Sequence, residues 1–199
     1  RQNMPTSGIS EFDDLVFGHV KIENKELEDH VLLKSDGMPT YNFANVVDDH
    51  LMHITHVIRG NEYLSSTPKY NLLYQAFGWE PPLYCHLPMV MGKDGQKLSK
   101  RHGATAVREF IKAGYLPEAL INYVSMVGWS YDGVREFFSK NDLEQLFSLE
   151  KINKAPGVFD YKKLEWFNGQ YIRMMEDHEL TKRIVPLLSA AGLIDDPPT

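Results

Sequence analysis

The stretch HVIRGNEYLSSTPKYNLLYQAFGWEPPLYCHLPMVM, residues 56–91, decides how this chain folds. HVIRG (56–60) is a short β-branched run that stops on Arg59-Gly60 and reads as a strand. TPKYNLLYQAFG (67–78) predicts a helix, with Thr67 as N-cap, Pro68 in the first turn and Gly78 as the stop. Tyr70, Leu73, Tyr74 and Phe77 recur at i, i+3, i+4 and i+7, which gives that helix one apolar face. LYCHLPMVM (83–91) then reads as a second strand. Strand, crossover helix and strand imply a parallel pair, and with it an open α/β sheet of the nucleotide-binding kind. Such sheets take ligands at the carboxyl ends of their strands. Arg59 and the residues after Met91 stand at such ends.

Residues 1–30 are mixed and acidic, with FDDLVFGHVKI and ENKELED readable as short strands and turns. VLLK (31–34) is a strand candidate before the turn signal SDG (35–37), and YNFANVVDDHLM (41–52) predicts a helix capped by Thr40. After residue 104 the pattern is helical throughout: AVREFIKAG, PEALINYVSMVGW, NDLEQLF, FDYKKLEWFNGQYIR and HELTKRIVPLLSAAG. Between Pro117 and Gly128, Leu120, Ile121, Val124 and Val127 form the expected buried stripe. The fold class is therefore α/β followed by all-α.

With 199 residues, 43% of them hydrophobic, the chain is long enough for a substantial core. One cysteine, Cys85, excludes an intrachain disulfide or a cysteine zinc cluster and fits a reducing compartment. No apolar run reaches the roughly 18 residues of a membrane span, and no signal-peptide pattern opens the chain, so a cytoplasmic location is expected. It starts without Met and stops at DDPPT, which reads as a stretch of a longer protein.

GKDGQKLSKRHGA (92–104) follows the second strand directly. It gathers Lys93, Lys97, Lys100 and Arg101 with Asp94 as its one acid, on a chain whose net charge is −6. A local cationic site on an acidic body points to an anionic ligand held at one place. The P-loop pattern does not fit, because Gly92 and Gly95 are too close and Lys97 is followed by Leu98. A solvated flexible loop is the plain alternative. Against it, Lys97 and Lys100 stand at i and i+3 around Ser99, a spacing that in a helical turn converges on one phosphate.

Lys97-Leu98-Ser99-Lys100-Arg101 resembles the K-M-S-K-S signature of class I aminoacyl-tRNA synthetases. HLPMVMGKDGQKLSKRHGA and the segment 32–79 are similar to bacterial-type glutamyl-tRNA synthetases, as are YLPEALINYVSMVGWS and VFDYKKLEWFNGQYIR. The resemblance implies the second half of a Rossmann-type catalytic domain with a helical stem-contact region. Its implied divisions are 1–45, the tail of the inserted acceptor-binding domain; 46–104, the Rossmann half with the signature; 105–175, the stem-contact helices; and 176–199, the start of an anticodon-binding region. It implies ATP binding by Lys97, Leu98, Ser99, Lys100 and Arg101, with Lys100, Lys97 and Ser99 in the catalytic role. Tyr41, Asn45 and Arg59 match positions that contact glutamate in the family. A core position for Tyr41 and a structural ion pair for Arg59 are the bland alternatives. The implied partners are glutamate, ATP bringing its own Mg²⁺, and tRNA(Glu), with a monomer as the family default.

Asp48, Asp49, His50, His53 and His56 crowd together, but without a metal-ligand spacing, so no metal is assigned to this segment. His53-Ile54-Thr55-His56 imitates the family's H-I-G-H motif with Thr55 in the glycine place. The true motif is absent, so the 199 residues alone are expected to be inactive. Lys151, Lys154, Lys162, Lys163 and Arg173 lie among Tyr161, Trp166, Phe167 and Tyr171, a pattern open to RNA contact or to an ordinary amphipathic helix. Two other functions stay open: the short paralogue that glutamylates queuosine in tRNA, and a non-catalytic nucleotide- or RNA-binding module.

Overall fold

The computed structural model describes residues 1–103 and 105–195; Ala104, the last residue of the basic stretch, and residues 196–199 of the final range lie outside it. The chain forms two compact units. The first comprises Arg1–Met89, Gly128–Tyr131 and Phe147–Gly157, and the second comprises Val90–Val127, Asp132–Leu146 and Val158–Thr199.

The first unit is built on a four-stranded sheet of order β2-β1-β4-β3, with β1 at Ile9–Asp14, β2 at Gly18–Glu23, β3 at His56–Gly60 and β4 at Leu83–Leu87. β1 and β2 form an antiparallel hairpin. β4 runs parallel to β3 from His56↔Leu83 to Gly60↔Leu87, and it touches β1 through Asp14↔Tyr84. Tyr84, Cys85 and His86 are all buried, as a parallel strand covered on both faces requires. The expected β-α-β unit is present, but the strand 83–91 is not continuous. Pro88 has no N–H to offer a ladder, so β4 ends at Leu87 and a separate strand β5 occupies Val90–Met91.

Helix α1 (Tyr41–Leu51) and the crossover helix α2 (Thr67–Phe77) enclose Val46, Tyr70, Leu73 and Tyr74, with Phe43 and Trp79 packed against them. Gly78, at φ 70°, ends α2 in the left-handed conformation that glycine adopts without penalty. Phe77 departs from the expected apolar face: it stays exposed and stacks on Trp79 at 4.5 Å. Thr67 is not the cap either. It lies inside α2, fully buried, and Ser66 occupies the cap position. VLLK does not form a strand. Lys34 N–H donates to Met38 O at 2.8 Å, closing a turn that leaves Leu33↔Pro39 as an isolated bridge, too short to recruit a partner strand. Thr40 stands at the α1 cap position, but its hydroxyl donates to Val31 O at 2.7 Å instead of capping.

The second unit is mainly helical: α3 (Val107–Lys112), α4 (Pro117–Ser125), α5 (Lys140–Leu146), α6 (Tyr161–Met174) and α7 (Asp177–Ala190). Residues 128–131 and 147–157 interrupt the expected helical run and belong to the first unit. There Trp129 Nε1–H donates to Ser148 O at 3.1 Å, and Asn153 N–H donates to Gly128 O at 2.7 Å. The core of the second unit is aromatic, with Phe110, Tyr123, Phe159, Leu164 and Phe167 at its centre. The expected stripe on α4 is rotated. Ile121 and Val124 stand 47% and 49% exposed, while Ala119 and Asn122 are at 0%. A polar residue takes the buried face because it satisfies backbone that lacks a helical partner. Asn122 Oδ1 accepts from Phe138 N–H and Tyr171 OH, and its amide donates to Glu136 O. Phe167→Ala is expected to cost about 3–5 kcal/mol and Ile121→Ala under about 1 kcal/mol. Urea unfolding of the two variants reads the difference, and equal losses would refute this assignment of the buried face.

Candidate active-site residues

In the first unit the carboxyl end of β3 delivers Arg59 into a ring of aromatic side chains. Its guanidinium carbon lies 5.0 Å from the Tyr63 ring centre, 4.9 Å from Tyr70 and 5.7 Å from Tyr84. Nε–H donates to His86 Nε2 at 3.2 Å, and Nη2 donates to Thr67 Oγ1 at 3.0 Å. No carboxylate forms an ion pair with it among the described residues, so the structural-pair alternative fails there. Burial of the tyrosines around it pushes their hydroxyls up, Tyr70 to about 12 and Tyr84 higher still, and both stay protonated donors at neutral pH.

Tyr41 is 53% exposed at the start of α1, not in the core, and its ring lies 5.5 Å from Tyr63. One helical turn on, the Asn45 side-chain oxygen is buried with no hydrogen-bond partner among the described residues, as is the Tyr74 hydroxyl. Unsatisfied buried atoms each cost about 1–3 kcal/mol unless a ligand meets them. Burial holds Tyr74 up at about 12, with Asp49 and Arg59 within electrostatic reach. All three residues expected on the amino-acid side thus belong to the first unit. A concavity of about 490 Å³ in this unit lies elsewhere, lined by Ile9, Asn71, Trp79 and Pro81 among others, and includes none of them.

Sequence reasoning missed the residues behind Arg59. Asp14 and His86 are buried, and Asp14 Oδ2 lies 2.6 Å from His86 Nδ1 while accepting the His86 backbone N–H at 3.0 Å. Asp14 Oδ1 accepts from Val16 and Phe17 N–H, which turns the chain from β1 into β2. An acid at the end of EFDD and a histidine 72 residues later in LYCHL carry no local signal of this pairing. Thr67 did carry a signal, but its hydroxyl read equally well as a helix cap.

The basic stretch, in the second unit, is a built hairpin and not a flexible loop. Gly92 N–H donates to Gln96 O, Leu98 N–H donates to Val90 O, and Met91 bridges Lys97 around a turn with Gly95 at φ 73°. Residue 97 pairs as a strand and Ser99 is extended at φ −151°, with a 3-10 turn only from Lys100 to His102. The i, i+3 helical geometry expected for Lys97 and Lys100 is therefore absent. His102 holds the base instead. Its Nδ1 accepts from Ser99 N–H at 3.0 Å, which leaves Nε2–H to face Asp94 at 3.0 Å. A Cβ on Gly92 would stand 2.8 Å from the His102 ring and 2.9 Å from Asp94 Oδ1, so a larger residue there would displace the pair. Lys93 is used structurally, pairing at 2.8 Å with Asp160, the N-cap of α6. Lys97, Lys100 and Arg101 are exposed, and Leu98 packs toward the aromatic core.

The histidines of DDHLMHITH do not converge. His50 stacks on Trp79 at 3.9 Å, and His53 sits at φ 54° beyond the end of α1. No cluster of three metal-ligating side chains occurs among the described residues. Of the aromatics near the later basic residues, Phe167 is core and Trp166 is 45% exposed.

A family model described as "tRNA synthetases class I (E and Q), catalytic domain" matches residues 1–166. A glutamate–tRNA ligase of Borreliella burgdorferi is 59% identical over 200 aligned positions, covering 100% of this chain and 41% of its own length. One of Treponema denticola is 57% identical, over 97% of this chain and 38% of its own. A crystal structure of a glutamate tRNA ligase from Elizabethkingia meningosepticum in complex with its amino acid superposes with TM-score 0.89 at 38% identity, over 96% of this chain and 42% of that one. The chain thus spans about two-fifths of the length of these proteins.

Burial holds the His86 imidazole below its usual 6.5, against the pull of Asp14, with Arg59 adding to the depression and Glu62 opposing it. Between its folded value and 6.5 the unfolded chain binds more protons, so stability falls as pH drops below about 6.5. Half-buried His30, lowered by its own burial, contributes in the same direction, while exposed His19, raised by Asp13, opposes it. Denaturant unfolding between pH 7.5 and 5.5 is expected to show a steeper loss for the native sequence than for H86Q, and parallel curves would contradict this.

Proposed function

Because the chain belongs to the class I tRNA synthetases for glutamate and glutamine, we propose that it works as part of a longer glutamate–tRNA ligase. That enzyme joins glutamate to ATP as glutamyl-adenylate and passes the glutamyl group to tRNA(Glu). The observation that carries this reading is the Lys97–Arg101 signature, borne on a pinned hairpin with its cations exposed.

A glutamate carboxylate oxygen attacks the α-phosphorus of ATP, and pyrophosphate leaves with the bonding pair. Charge grows on the departing phosphates, and cations set beforehand near that charge lower the barrier. Lys100 and Lys97 supply them, Ser99 adds a hydroxyl hydrogen bond, and Leu98 and Arg101 complete the ATP contacts. Mg²⁺ arrives with ATP as part of the substrate. Arg59 grips a glutamate carboxylate with parallel hydrogen bonds, a pairing to which a guanidinium is suited. Tyr41 and Asn45 complete the amino-acid contacts; the buried, unpartnered Asn45 oxygen supports this role, since a substrate N–H satisfies it. Residues 1–45 serve the acceptor end of tRNA, 46–104 the chemistry, 105–175 the tRNA stem and 176–199 the approach to the anticodon. Following the family, the protein is a cytoplasmic monomer.

Glutamate-dependent ATP–pyrophosphate exchange tests the reading. The full-length protein is expected to exchange, residues 1–199 alone are not, and Lys100→Ala is expected to lower the full-length rate about 10²–10³-fold. Full activity of Lys100→Ala, or of the double Lys97→Ala/Lys100→Ala variant, would overturn the catalytic assignment.

A further inference from the structure

We propose that Asp14, His86 and Thr67 are positioning residues that set the rotation of the Arg59 guanidinium, so that one edge of it is held ready for the amino-acid carboxylate. This rests on the reading of Arg59 as a substrate contact.

Hydrogen-bond accounting carries the inference. Asp14 Oδ2 at 2.6 Å can only accept from His86 Nδ1, so that nitrogen carries the ring proton. Nε2 is then a bare lone pair, and Arg59 Nε–H donates into it at 3.2 Å. The Thr67 hydroxyl lies 2.9 Å from Tyr63 O and 3.2 Å from His86 Nε2; with Arg59 Nε–H donating into that nitrogen, its one proton goes to Tyr63 O. Its oxygen is left to accept from Arg59 Nη2 at 3.0 Å. Each group then has one role, and donation runs one way: guanidinium to imidazole to carboxylate.

Arginine has five N–H donors. His86 and Thr67 take two of them, on the Nε side. Three remain, two on Nη1 and one on Nη2, and these include the pair of parallel donors that a carboxylate bridges end-on. The cation–π contacts with Tyr63 and Tyr70 hold the charge in place but do not fix the rotation of the group. The two hydrogen bonds fix that rotation. His86 and Thr67 are both at 0% exposure, so water does not substitute for them.

The test uses steady-state exchange kinetics of the full-length protein with glutamate as the varied substrate. Glutamine at 86 presents its amide oxygen near the lost Nε2, whereas asparagine ends near Nδ1 and reaches only Asp14. His86→Asn and Thr67→Val are each expected to raise the KM for glutamate about 10–100-fold, with kcat and the KM for ATP little changed. His86→Gln and Thr67→Ser are expected to recover most of that loss. Thermal melting of all four variants separates misfolding from misplacement, since the conservative member of each pair reports even if its partner fails to fold. Equal glutamate KM for His86→Asn, Thr67→Val and the native enzyme, with Arg59→Ala raised, overturns the positioning role and leaves Arg59 in place. An unchanged KM for Arg59→Ala overturns both.

Discussion

The contact between Asp14 and His86 is the constraint on which the first unit turns. Two polar groups this deeply buried are tolerated only when each satisfies the other. Here the carboxylate meets the imidazole, the backbone of His86 and the turn that follows β1. One side chain thus registers β1 against β4, ends a hairpin and selects a histidine tautomer. Replacing the pair with apolar residues would fill the same space, yet would leave Arg59 Nε–H without the acceptor that His86 supplies. Charge is kept in the interior of the sheet because the sheet presents another charge at its edge.

The basic hairpin of the second unit solves a different problem. In the proposed role, lysines that meet a growing negative charge have to be held near it on a rigid base. The hairpin divides the work. Lys93, paired with Asp160, and His102, paired with Asp94, anchor the base, and Leu98 is turned toward the aromatic core. Lys97, Lys100 and Arg101 remain exposed. Asp94 is held below the usual carboxylate range by the Gln96 amide and then by His102, so the one acid in the stretch stays committed to the scaffold.

Much of this was legible in the residues. Strand 56–60, helix 67–78 and the basic stretch after a strand could be read because periodicity, Pro68 and Gly78 are local signals. Arg59, Tyr41 and Asn45 were singled out through resemblance, and the structure places all three in one unit. Reading failed where tertiary demands overrode local pattern. Thr67 looked like a cap because a hydroxyl before Pro68 usually is one; burial beside Arg59 gave it another partner. The stripe of Leu120, Ile121, Val124 and Val127 left out Asn122, which is core because the backbone at 136–138 needed its amide. Helical spacing misled at Lys97 and Lys100, where a hairpin and not a helix turn organises the loop. Asp14 and His86 were illegible, since nothing local links positions so far apart.

The return of residues 128–131 and 147–157 to the first unit has a consequence for how the chain comes into being. During synthesis the amino-terminal sheet emerges early, but the bridge of Trp129 to Ile152 that belongs with it cannot close until the ribosome has passed that point. Between those moments the nascent chain has already delivered α3, α4 and α5. Contacts so distant in sequence close slowly because the intervening loop entropy must be overcome first. Maturation of the first unit is thereby tied to translation of the second, and neither can be finished as a simple amino-to-carboxyl succession of domains.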